Sequence, residues 1–201
     1  IGRAGFSIPP YYDAGGRMSA PTILVWGSEE HKDRFLPPIC KGEVRTWQLL
    51  TEPGAGSDVR SMKCKAEKDG DDYVINGIKH FISHADVADY VILFAATGEE
   101  ETPRGPKKLI TTFLVDMGTP GFEVKTGYKS VSHRGYHNSV LEFDNCRVPA
   151  SQVLGEADHG FDVANEWLGA TRLSVAAMCV GRAQRAFEIA TEWAATRVQF
   201  G

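Results

Sequence analysis

The chain has 201 residues, 42% of them hydrophobic and 24% charged, enough to enclose a core in one large domain or two small ones. Its 22 basic residues against 26 acidic ones leave a formal charge of -4 and no basic face from which to argue nucleic-acid binding. No apolar run reaches the roughly 18 residues a membrane helix needs, and the opening "IGRAGFSIPPYYDAGGRM" lacks the charged-then-apolar plan of a secretory signal.

The first predicted element is helical. From residue 19 to about 41 the apolar residues recur at helical spacing, with Ser28 as an N-cap and Glu29 and Glu30 in the first turn, where the helix dipole favours acids. From residue 44 to about 153 the pattern shifts to short alternating or β-branched runs: "VRTWQLL", "KCKAEKD", "DYVINGIKHFIS", "DYVILFAA", "LITTFLVDM", "FEVKTG" and "SVLEFDNCRVP". Turn signals at Asp69-Gly70, Asn76-Gly77 and Thr119-Pro120-Gly121 punctuate them. Asn76-Gly77, between two alternating runs, reads as a two-residue hairpin. Seven short strands without helices between them predict an antiparallel sandwich or barrel rather than a doubly wound sheet. The basic cluster at residues 104–108, "RGPKK" among Pro and Gly, reads as a solvated loop.

From Gly160 onward the helical period returns. Val175, Met178, Cys179, Ala183, Ala186, Phe187, Ala190 and Trp193 form an apolar stripe that wants partners. Gly169 is read as an interruption and Thr171 as the cap of a second, longer helix. The class is therefore α+β, an antiparallel β-barrel or sandwich flanked by helical segments, divided at residues 1–44, 45–156 and 157–201.

Cys40, Cys64, Cys146 and Cys179 are scattered without CxxC spacing, which argues against a zinc site and for a reduced intracellular protein. Among six histidines only His133 and His137 are four apart. They lie in the turn-like "SHRGYHNS" and suit loop hydrogen bonding better than metal ligation.

"LLTEPGAGSDVRSMK" follows one strand and leads to another, so it is not the strand-to-helix glycine loop of a dinucleotide fold. It lacks the Gly-Lys-[ST] ending of a P-loop as well. Two readings remain: a surface turn, or a strand-end ledge whose glycines admit an anionic or heteroaromatic ligand to backbone N–H groups, with Thr51 and Ser57 as hydroxyl donors.

"LLTEPGAGSDV", "DYVINGIKHFIS", "VLEFDNCRVPASQVLG", "GFDVANEWLGATRL" and the terminal "RVQFG", in that order, resemble the acyl-CoA dehydrogenase family of flavoproteins. In that family an N-terminal helical domain, a middle β-domain and a C-terminal helical domain enclose FAD and an acyl-CoA thioester. The resemblance implies the tail of the first, all of the second and the opening of the third.

It also implies roles. Gln48, Leu49, Leu50 and Thr51 would run beside the flavin, with Thr51 donating to its pyrimidine edge, where fixed donors stabilise reduced-flavin charge. Gly56 and Ser57 would sit near the pyrophosphate, Ser57 also toward the CoA. Phe81-Ile82-Ser83 matches the family's Trp-Ile-Thr, departing at Phe81, with Ser83 keeping a hydroxyl for flavin N5. Arg197, Gln199 and Phe200 would reach the FAD of a neighbouring subunit, making a homo-oligomer. Thr171 and Arg172 would face substrate near the thioester.

Family members remove the α-proton with a glutamate, passing the β-hydride to flavin and the electrons to an electron-transfer flavoprotein. One of the two family positions for that base falls here on Thr171, which cannot serve. Glu166 reads as a solvated helix acid. The base is expected beyond Gly201, so no catalytic residue and no metal ligand is assigned. An oxidase or flavin monooxygenase on the same fold, and a non-catalytic binding relative, stay open, as does location in a bacterial cytoplasm or a mitochondrial matrix.

Overall fold

The computed structural model describes residues 18–103, 105–131 and 137–201. The stretch read for a secretory signal, apart from Met18, lies outside these residues, as do Arg104 and His133. Two helices come first, α1 (Ala20–Trp26) and α2 (Glu29–Lys41). Gly27 and Ser28 part them, and Ser28 caps α2 as expected: its side chain accepts from the His31 amide at 3.2 Å, while the His31 Nδ1 accepts from the Ser28 amide at 3.4 Å. A histidine thus fills the reciprocal role usually given to Glu or Gln, in an arrangement worth about 1 kcal/mol. Because Nδ1 accepts, the network assigns the proton to Nε2, which donates to the Ser151 carbonyl at 2.7 Å and ties α2 to the turn that follows residue 149.

Seven strands follow: β1 (Thr46–Leu49), β2 (Lys65–Asp69), β3 (Asp72–Ser83), β4 (Tyr90–Thr102), β5 (Gly105–Asp116), β6 (Phe122–Tyr128) and β7 (Asn138–Pro149). The expected class holds, as a curled and mostly antiparallel sheet in the order β1-β4-β2-β3-β7-β6 with β5 on β4. Parallel pairing enters where β1 runs beside β4, Thr46 opposite Tyr90 through Leu49 opposite Leu93. β4 explains itself from its sequence. Val91, Leu93 and Ala95 enter one core, while Tyr90, Ile92, Phe94 and Ala96 enter the other, which α1 and α2 cover. A strand buried on both faces reads as a continuous apolar run, here "YVILFAA".

Three sequence expectations change. Asn76-Gly77 is not a hairpin: β3 passes straight through it with a bulge between Ile75 and Gly77 against β7, and the tight turn falls at Gly70 instead. The Asn76 side chain accepts from the Asn145 amide at 2.8 Å, which satisfies the bulge rather than a turn. Gly105, Lys107 and Lys108 belong to β5, not to a loop. Their partners across the ladder are Thr102, Glu100 and Glu99, and opposite charges on facing strands extend the hairpin. Finally, residues 160–196 form one unbroken helix, α3 (Gly160–Thr196), with no stop at Gly169 and no cap at Thr171. A single glycine costs a helix only about 1 kcal/mol, less than flanking good helix formers restore.

Burial pushes the Cys64 thiol up to about 11, with nearby Lys79 pulling it partly back, and burial pushes Cys146 to about 11 as well. Neither is a nucleophile at neutral pH. No helix among the described residues is long and apolar enough to cross a membrane.

Candidate functional site

Where β1 ends, the chain turns away from β4 and closes a tight turn on itself: the Glu52 amide donates to the Ala55 carbonyl at 2.9 Å, and the reverse bond spans 3.1 Å. Thr51 is held from the other side, its carbonyl accepting from the His80 amide at 3.0 Å. The "TEPGAGSD" loop is therefore a fixed shelf beside the end of β3. β3 itself bulges there, between Lys79 and Ile82, and places Phe81 at a φ of 53°. For an aromatic residue that conformation costs on the order of 1–3 kcal/mol. Phe81 is offset by contact with Tyr128, ring centroids 4.4 Å apart, and with His80 at 4.3 Å.

The third wall is α3. Its first turn is seated on β5, with Val163 and Ala164 buried, and Trp26 of α1 donates to Glu166 at 2.8 Å. Glu166 is thus exposed but not merely solvated: it ties α3 to α1. Past that point α3 leans over the shelf and borders a half-open cavity of about 720 Å³.

This cavity gathers most of the residues singled out from sequence. Gln48, Leu50, Thr51, Gly56 and Ser57 line it from the shelf, Phe81, Ile82 and Ser83 from β3, and Thr171 and Arg172 from α3. Leu49 does not, since strand alternation turns it wholly into the opposite core. Arg197, Gln199 and Phe200 do not either; they lie exposed at the far end of α3, about 40 Å along the helix from Thr171. Sequence reasoning missed Trp47 and Trp167, which also line the cavity, and the fully buried Lys79. Lys79 had a readable signal: period-2 counting from the buried Tyr73 and Ile75 places it on the inward face, where a lysine requires a carboxylate.

Buried polar atoms on the lining residues that have no hydrogen-bond partner among the described residues include Gln48 Oε1, Trp167 Nε1 and Thr171 Oγ1. Gln48 is oriented by its amide, which donates to Thr22 Oγ1 at 3.2 Å. An unmet buried polar group costs about 1–3 kcal/mol, so this set suits a ligand with polar groups on an apolar body. No group of three or more potential metal-holding side chains occurs among the described residues. His137 bonds Asp86 at 2.8 Å.

Beside Trp47 lies His84, ring centroids 5.7 Å apart, with a left-handed backbone. Burial lowers its pKa below 6.5, nearby Asp86 pulls it partly up, and His137 lowers it further. The unfolded chain therefore takes up this proton before the folded one does. The stability contribution is complete above the unfolded value and is lost as pH falls through the folded one. Thermal midpoints of the wild type should drop more steeply than those of His84→Gln as pH falls below the ordinary histidine value of 6.5. Parallel curves would refute this assignment.

The model of the acyl-CoA dehydrogenase middle domain matches residues 48–146, that of the C-terminal domain residues 158–201, and that of the N-terminal domain residues 1–43. The mitochondrial isovaleryl-CoA dehydrogenase of Pongo abelii is 35% identical over 88% of this chain and 41% of its own length. The acyl-CoA dehydrogenase of Geobacillus kaustophilus superposes with a TM-score of 0.88 at 33% identity, over 99% of this chain and 52% of that one. A glutaryl-coenzyme A dehydrogenase in complex with glutaryl-CoA gives 0.89 at 34% identity, over 100% and 50%. The chain spans about half the length of the relatives it matches. With the three family models matched in order along the sequence and the fold superposing over nearly its whole length, this chain belongs to the acyl-CoA dehydrogenase family, whose members are FAD-dependent flavoproteins.

Proposed function

We propose that the chain forms the flavin-holding part of an FAD-dependent dehydrogenase that converts an acyl-CoA thioester to its trans-2-enoyl-CoA and passes the electrons to an electron-transfer flavoprotein. One observation carries the reading: a single cavity brings together Thr51, Ser57, Ser83, Thr171 and Arg172 from three separate segments. Its volume of about 720 Å³ and its unmet polar atoms fit a heteroaromatic ring with donors and acceptors on its rim. When bound, FAD supplies the acceptor for the substrate's β-hydride.

The chain's own part is positioning. Thr51 offers its hydroxyl to the ring's pyrimidine edge, with Gln48 and Leu50 beside it and Leu49 acting through backbone alone. Gly56 and Ser57 hold the pyrophosphate side, and Ser57 also the CoA. Phe81 walls the ring and Ser83 offers a hydroxyl to N5. Thr171 and Arg172 face the acyl thioester. Arg197, Gln199 and Phe200, remote from the cavity, are assigned to the FAD of a second copy in a homo-oligomer. The domain division at 1–44, 45–156 and 157–201 belongs to this reading, as does a bacterial cytoplasmic or mitochondrial matrix location.

The test uses full-length, flavin-loaded protein under anaerobic conditions. At least one of a series of acyl-CoA thioesters should bleach the flavin absorbance, with reoxidation faster by electron-transfer flavoprotein than by O2. A flavin that no thioester bleaches would sink the dehydrogenase assignment, and preference for O2 would make the protein an oxidase.

A further inference from the structure

Lys79 is among the largest fully buried side chains of the described residues, with Glu52 only 4% exposed against it. The Lys79 ammonium donates to Glu52 Oε1 at 2.7 Å and to the Leu50 carbonyl at 3.2 Å. The same carboxylate accepts from the Lys63 amide at 2.6 Å and from the Cys64 amide at 3.1 Å. These contacts fall at distinct places. Leu50 is where β1 gives way to the shelf, Lys63 and Cys64 are where the chain re-enters the sheet, and Lys79 stands two residues before Phe81.

An apolar pair of similar volume commonly serves stability as well as a buried ion pair does. What the ion pair adds is direction. One charge and its partner fix both ends of the shelf and bind it to β3, so that Thr51, Gly56 and Ser57 on one side face Phe81 and Ser83 on the other. We propose that Lys79 and Glu52 are positioning residues of the cofactor site, holding the residue 50–57 shelf and the residue 81–83 segment in their binding geometry before the flavin arrives. The inference rests on the flavin reading above.

The experiment compares full-length wild type with Glu52→Gln/Lys79→Met, which leaves no buried charge unpaired. The double variant should fold with a thermal midpoint within about 5 °C of wild type. Its flavin-free form should nevertheless bind FAD about tenfold more weakly, the usual scale for a supporting residue. Its kcat should fall more than KM changes, and Lys79→Arg alone should retain more FAD affinity than the double variant. Wild-type FAD affinity and kcat in the double variant would overturn the proposal while leaving the flavin reading intact. Wild type that binds no FAD would end both. Should the double variant not fold, hydrogen exchange on flavin-free wild type decides. Protection of the Lys63 and Cys64 amides and of the 52–55 turn supports the proposal, and free-peptide exchange rates there overturn it.

Discussion

Gly160→Ala should detach the covering helix from the sheet, and Gly169→Ala, nine residues along the same helix, should strengthen it. A Cβ at Gly160 would lie 2.8 Å from Thr112 Oγ1 and 2.9 Å from both the Ile110 carbonyl oxygen and the Thr111 carbonyl carbon. Two of those three neighbours are backbone of β5, a strand that cannot yield, so the first turn of α3 must lift. Overpacking of this kind costs about 1–3 kcal/mol. The functional consequence is larger, because Trp167, Thr171 and Arg172 ride on the same rigid helix and move with its base. At Gly169 nothing stands within 4 Å of the added carbon, and the substitution should gain up to about 1 kcal/mol from lost backbone freedom in the unfolded chain. Thermal melting and bound-flavin content of the two full-length variants check the pair. Equal effects, or a Gly160→Ala protein with full flavin content, would refute the seating of α3 on β5.

Gly77→Ala should be the more damaging change to the fold itself. Gly77 has a φ of 150°, and a Cβ there would stand 2.5 Å from Cys64 Cα and 2.7 Å from Cys64 Cβ. Backbone strain and the clash add to about 3 kcal/mol or more, which for a protein of this size lowers the thermal midpoint by roughly 10 °C. Asn76→Ala, which loses only the bond from the Asn145 amide, should cost about 1 kcal/mol. A Gly77→Ala protein melting near wild type would mean that β2 and β3 do not approach so closely.

The two glycines also show where sequence reading stops. Asn-Gly between alternating runs is a true hairpin signal when its neighbours pair with each other. Here Ile75 and Gly77 pair with Cys146 and Phe143 of β7, more than 60 residues on, and that distant strand converts a turn signal into a bulge. The "RGPKK" cluster changed for a similar reason: its composition is that of a loop, but Glu99 and Glu100 stand across the ladder from it. Gly169 and Thr171 carried local cues for a break, and a helix long enough to average over them ignored both.

Elements whose signals are local were legible. The Ser28 cap needs only residues three apart, the seven strands carry their own period, and the family resemblance is written in short ordered motifs. The shelf loop was legible as well, and so were most of the residues that line its cavity. What the tertiary structure alone decided is which of them converge. Leu49 turns away because a strand alternates its side chains, Arg197 through Phe200 stay distant because a straight helix carries them off, and Glu52 meets Lys79 because the curl of the sheet brings β1 and β3 together. A charge pair 27 residues apart leaves no mark on either neighbourhood beyond an inward-facing lysine, and its partner is set by packing.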